Sequence, residues 1–191
     1  SSKGGSKSIV DAKERGARIV AIKPTMEPDA ALADLWVPIR PGTDAALALA
    51  MLHVVIEENL YDHDFVSQWC YGFEELRDHI QTNTPPWAET ITGLPADQII
   101  ELAREYATTK RAAIDPGNGL EHAPSASDAV RSIAILMAIT GHLDRPGGNI
   151  VPMGSTMPTP KSVHLKERYT QEWVDKLVAP EFPKPFQPFS E

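Results

Sequence analysis

The chain has 191 residues, 42% of them hydrophobic, and a formal net charge of −8. That apolar content supports a packed core and excludes a wholly disordered chain, while an acidic balance without any basic block argues against a nucleic-acid partner. No apolar run approaches the ~20 residues a membrane-spanning helix needs, so no direct membrane span is expected.

Ser1 to Lys7 is small and polar, without an apolar signal core. Lys7 to Arg15 reads as the end of a helix stopped by Gly16. Arg18 to Ile22 reads as a short buried strand. A chain that opens on the tail of a helix reads as an interior segment, with the preceding strand of a βαβ unit outside it. Pro24 and Pro28 break the backbone after the strand. Leu35 to Ile39 is a second apolar run, which Pro38 demotes to an edge strand.

Arg40-Pro41-Gly42-Thr43-Asp44 then leads into a strong helix, Asp44 to Glu58, with Leu47, Met51, Leu52, Val55 and Ile56 at helical spacing. Asp62 to Cys70 and Gly72 to Ile80 read as two short helices. Pro85-Pro86 opens another that ends near Gly93, and Pro95 to Thr108 is amphipathic. Ala112 to Asp115 is a candidate strand, followed by the glycine-rich Gly117 to Gly119. Ser127 to Thr140 reads as an apolar helix ending at Gly141. Between Pro152 and Pro188 lie seven prolines and one short helical stretch, Glu172 to Val178. That segment reads as an irregular, extended tail.

The Ile39 to Asp44 run carries the clearest chemistry. A helix N-terminus offers free N–H groups and a positive dipole end to an anion. Gly42 lets a ligand approach the backbone, and Thr43 can cap the helix or donate to a phosphate. The Asp44 carboxylate accepts two hydrogen bonds at once, matching the paired N–H donors of guanine and not adenine; a plain helix cap is the alternative. Lys23-Pro24-Thr25 lies after the first strand, where α/β sheets place ligands, so Lys23 is a candidate for phosphate or ribose, or else a solvated lysine. The loops Gly117 to His122 and Gly141 to Asn149 can cradle a flat polar ring, or are simply turns. His53, His63 and His79 show no metal-ligand spacing. The single cysteine, Cys70, makes no intrachain disulfide and holds no iron–sulfur cluster alone; it reads as a structural thiol.

These residues resemble a known family. The run from Gly16 to Met51, then Leu60-Tyr61-Asp62 through Phe65-Val66, Trp69 to Phe73, Gly117-Asn118 and Gly141 to Asn149 are similar to the molybdopterin-guanine-dinucleotide oxidoreductases of the dimethyl sulfoxide reductase family. The likeness covers residues 8 to 151, with the polysulfide, thiosulfate and dimethyl sulfoxide reductase branch, which includes a hydratase, nearest. It implies an α/β fold: a partial parallel sheet flanked by helices, dinucleotide-binding-like, with a Pro-rich tail. Residues 1–110 would belong to a cofactor-binding domain, 111–150 to the return into its neighbour, and 151–191 to the tail.

The resemblance implies a larger catalytic subunit carrying two molybdopterin guanine dinucleotides around molybdenum or tungsten. A 4Fe-4S cluster and the metal ligand would lie in an N-terminal part outside this chain, so no catalytic residue is assigned. Pro41, Gly42, Thr43 and Asp44 would hold the guanosine end of one cofactor. Lys23, Pro24 and Thr25 would lie near ribose or phosphate, although the family often has an acidic residue and an arginine there. Asn118, His122, Gly147, Gly148 and Asn149 would face the pterin. Partners would be the rest of the catalytic subunit and an iron–sulfur electron-transfer subunit, in the periplasm or cytoplasm of a prokaryote. The expected activity is reduction of a small oxo or sulfur compound. The alternatives are a scaffold subunit that has lost the metal and a hydratase-type lyase.

Overall fold

The computed structural model of the chain describes residues 3–150. The expected tail, with its helix at Glu172 to Val178, lies outside them. Helix α1 (Lys3–Glu14) ends ahead of Gly16, whose φ of +86° is the left-handed stop its sequence suggests. Strand β1 (Val20–Ile22), the short helix α2 (Pro28–Ala31) and strand β2 (Leu35–Val37) follow. The strands pair in parallel, Val20 opposite Leu35 and Ile22 opposite Val37. Lys13 pairs with Asp34 at 2.8 Å, and the Ile19 N–H donates to the same carboxylate at 2.7 Å, tying α1 to the sheet.

The expectation of a buried first strand needs correcting. Val20 and Ala21 are only half-buried and Ile22 is 39% exposed. The sheet has two strands among the described residues, so neither strand is flanked by others on both sides. Strand β2 ends before Pro38, which has no N–H to continue the ladder.

The core is built around helix α3 (Asp44–Glu57). Nine of its residues are buried, from Ala46 and Leu47 through Val55 and Ile56. A helix apolar on nearly every side must be surrounded. Helices α6 (Pro85–Thr92), α7 (Ala96–Thr108) and α8 (Ala126–Ile139) pack on it, and Val37 and Ile39 join the same core from the sheet. Helices α4 (His63–Trp69) and α5 (Phe73–His79) run along the surface, and a 3₁₀ turn (Ile80–Thr82) buries Ile80 completely. The ends follow local chemistry. Asp62 caps α4 by accepting from the Phe65 N–H at 2.9 Å, Thr84 caps α6 ahead of Pro85 and Pro86, and Gly93 closes α6 at φ +76°.

Ala112 to Asp115 does not form a strand. Among the described residues no strand runs beside it. The Asn149 side chain supplies one rung in place of a neighbour. Its Oδ1 accepts from the Ile114 N–H at 2.9 Å, and its Nδ2 donates to the Ile114 carbonyl at 2.7 Å.

Candidate functional site

Because β1 and β2 are parallel, the loops that follow them open at the same end of the sheet, the carboxyl end where such sheets place ligands. Lys23 and Pro24 leave β1 there. The Lys23 N–H extends the ladder to the Val37 carbonyl at 3.1 Å, and the Trp36 Nε1–H donates to the Lys23 carbonyl at 3.0 Å. The Lys23 ammonium is paired with Glu27 at 3.0 Å, so its charge is already balanced locally. Pro24 and Thr25 are exposed.

The chain leaving β2 turns through Arg40 to Thr43. Pro41 and Gly42 occupy the central positions, Gly42 has φ +76°, and the Thr43 N–H donates to the Arg40 carbonyl at 3.3 Å. A proline followed by a glycine of positive φ is the pattern of a type II turn. Thr43 stands at the N-cap of α3, yet its hydroxyl makes no capping bond. It donates to the Arg40 carbonyl at 2.7 Å instead. That proton is held by the turn.

Asp44 is the first residue of α3. Its carboxylate is half-buried and meets no cation among the described residues. Burial pushes its pKa above the ordinary carboxylate value, and a bond from its own backbone N–H offsets this only in part. A half-buried carboxylate without a cation is costly unless something supplies donors.

The loop carrying Asn118 and His122 comes alongside this turn. Both residues are exposed, but those that follow abut Gly42. A Cβ on Gly42 would sit 3.7 Å from the Ala123 Cβ, and the Ser125 hydroxyl donates to the Gly42 carbonyl at 3.4 Å. A cleft of about 630 Å³ begins here, lined by Gly42, Thr43 and Ser125, by the charged Asp128 and Arg131, and by apolar residues such as Leu49.

Gly147, Gly148 and Asn149 are occupied with holding their own loop. The Gly148 N–H donates to the Arg145 carbonyl at 2.9 Å, and the Asp144 N–H to the Asn149 carbonyl at 2.7 Å. A Cβ on Gly148 would collide with the His142 carbonyl, and one on Gly147 would press on Arg111. The Asn149 side chain serves Ile114.

Two residues that sequence reasoning gave no role stand out. Arg40 binds the end of α6, with Nη1 donating to the Thr90 and Ile91 carbonyls, each at 3.0 Å. Asp62, besides capping α4, receives Arg145 at 2.8 Å and donates its own N–H to the Ile139 carbonyl at 2.7 Å. Its carboxyl lies below the ordinary range, chiefly through the Phe65 N–H bond and then through Arg145. Cys70 is a free, half-buried thiol whose pKa burial raises, as befits a structural cysteine. Among the described residues no three His, Cys, Asp or Glu side chains gather as a metal site.

The arrangement puts a helix N-terminus and an acceptor carboxylate in one place, the start of α3. The free N–H groups of a helix N-terminus attract negative charge, and a carboxylate can accept two N–H donors at once. Comparison with known proteins gives the ligand a class. The molybdopterin oxidoreductase family matches residues 6–174. The molybdopterin-containing subunit PhsA of thiosulfate reductase from Salmonella typhimurium is 34% identical over 187 residues, covering 91% of this chain and 24% of that protein. Formate dehydrogenase H from Escherichia coli is 39% identical over 145 residues, covering 76% and 20%. The solved structure of acetylene hydratase from Pelobacter acetylenicus superimposes with a TM-score of 0.68 at 38% identity, covering 71% of this chain and 19% of that one. The chain thus spans about a fifth to a quarter of the length of these relatives. With the family matched along most of its length, the chain belongs to the molybdopterin oxidoreductases, whose cofactor is a pterin carrying molybdenum or tungsten.

Proposed function

We propose that this chain is the cofactor-holding segment of a larger bis(molybdopterin guanine dinucleotide) enzyme, one that reduces a small oxo or sulfur compound. Residues 1–110 would belong to a dinucleotide-binding domain, 111–150 to the return into its neighbour, and 151–191 to an extended connection. A 4Fe-4S cluster would sit elsewhere in the parent subunit, and an iron–sulfur electron-transfer subunit would be its redox partner. When bound, the metal–pterin group supplies the centre at which electrons and an oxygen or sulfur atom are exchanged. The residues described here would bind and orient one dinucleotide.

The observation that carries this reading is Asp44, a half-buried carboxylate that meets no cation among the described residues, behind Gly42 at the start of α3. Such a group has no use in a scaffold that has lost its cofactor. A purely capping Asp44 is also disfavoured, because Thr43 occupies the cap position and Asp44 lies inside the helix. Facing guanine, Asp44 accepts the ring N–H and the exocyclic amine; facing adenine, it meets a ring nitrogen that only accepts. The Gly117–Ser125 loop would close over the same end, through Ala123 and Ser125. A tungsten or molybdenum lyase is the second reading, favoured by the likeness to acetylene hydratase.

Calorimetric titration of the chain with GDP and ADP tests the guanine assignment. GDP should bind more tightly. Asp44→Ala should weaken GDP by roughly 10- to 100-fold, the worth of charge-assisted hydrogen bonds, and abolish the preference. Equal affinity for the two nucleotides in the unmutated chain would sink the assignment.

A further inference from the structure

Arg40 is held on both sides of its own peptide. Toward α6, its backbone N–H donates to the Thr92 carbonyl at 3.1 Å, and its Nη1 donates to the Thr90 and Ile91 carbonyls, each at 3.0 Å. The last carbonyls of a helix have no intrahelical partner, and that end carries partial negative charge. One cationic residue therefore satisfies three consecutive carbonyls at the end of α6. Gly93 makes room for it, since a Cβ there would lie 3.3 Å from Arg40 Nε. Toward α3, the Arg40 carbonyl accepts both the backbone N–H and the hydroxyl of Thr43. The Thr43 carbonyl in turn receives the N–H groups of Ala46 and Leu47, at 3.0 and 3.3 Å, which start the helix.

We propose that Arg40 is a positioning residue for the cofactor turn: by clamping the end of α6 it orders Pro41 to Asp44 and sets where the Asp44 carboxylate is presented. Its Nη1 is spent on the α6 carbonyls. The ordering of the turn follows from the geometry alone; its effect on nucleotide choice rests on the reading of Asp44 as the guanine contact. Lysine is a poor substitute, because its ammonium is a point charge on a flexible stem without the fixed fork of guanidinium.

The test compares the 191-residue chain with Arg40→Met and Arg40→Lys, using GDP and ADP calorimetry and amide hydrogen exchange. Arg40→Met should weaken GDP by about 10-fold, as loss of a group supporting a binding residue commonly does, and weaken ADP clearly less. The Ala46 and Leu47 amides should exchange faster, while those of Leu102 and Ala103 in α7 hold. Arg40→Lys keeps the positive charge and should restore part of both effects; it carries the test if the methionine variant does not fold. Exchange that quickens everywhere alike, or at neither Ala46 nor Leu47, overturns the proposal, as does equal weakening of GDP and ADP. If the unmutated chain shows no preference for GDP, the guanine reading fails by itself, and the exchange of Ala46 and Leu47 decides the positioning role.

Discussion

Two aspartates illustrate how environment assigns a carboxylate its task. Asp62 is bound by the Phe65 N–H and by Arg145, and its pKa is lowered. The stability it contributes is present above its unfolded pKa and is lost as pH falls through the lower folded value. Asp44 is the reverse case: burial raises its pKa. A group whose folded pKa lies above the unfolded one stabilises the fold fully below the unfolded value. That contribution is lost as pH rises through the folded value. At neutral pH the charged Asp44 therefore costs the ligand-free chain stability. Asp44→Asn should raise the melting temperature at neutral pH, and the gain should vanish as pH falls below the ordinary carboxylate pKa of about 3.9. The same substitution should weaken GDP binding. A gain in stability joined to a loss of binding marks a residue kept for function. Melting curves over that pH range check it, and an unchanged or lower midpoint at neutral pH would count against it.

At the scale of elements, long-range side-chain bonds replace regular pairing after α7. The Ala112 to Asp115 segment has no strand beside it, and Asn149 supplies its one rung. Asn149→Ala leaves the Ile114 N–H and carbonyl without those partners and should destabilise the chain by roughly 1–3 kcal/mol. The Ile114 amide should exchange faster than those of α3, which amide exchange and thermal melts would show together. No change in either would mean water replaces the side chain at no cost. The turn after α8 is equally specific. Gly141 has φ +69°, and a Cβ there would lie 2.5 Å from the Asp62 Oδ2. The glycine is thus required both by its backbone and by the acid packed against it, and that acid caps α4 and binds Arg145. The Gly141 to Asn149 run acts in this chain first as a fastening between α4, α8 and the segment before the Asn118 loop.

At the scale of the molecule, the stabilising mass lies around α3, and the two-stranded sheet that carries the Lys23 loop joins it through Val37. Val37, Leu52, Val55, Ile80 and Ile99 are each fully buried in one cluster. Outer surfaces are less complete: Trp69 is 75% exposed and Ile150 72%. The sequence has one cysteine, and no cluster of metal-ligating side chains gathers among the described residues. A chelator should therefore leave the melting temperature of the purified chain unchanged. A lower midpoint would reveal a structural metal held through residues outside 3–150.

Much of the fold was legible in sequence because it depends on neighbours along the chain. Helical spacing marked α3 and α7, glycine and proline marked where α1, α6 and α8 begin or end, and Pro41-Gly42 marked the turn before α3. Even the Lys23–Glu27 pair stands at i,i+4 and could have been read there. Only the tertiary structure decided the rest. Arg40 meets Ile91 across 51 positions, Ser125 meets Gly42 across 83, Arg145 meets Asp62 across 83, and Asn149 meets Ile114 across 35. Residue type and local spacing carry no record of such pairs. They form where packing of α6, α7 and α8 on α3 returns distant backbone to one place, and there each unpaired carbonyl or carboxylate takes the partner the core has brought within reach.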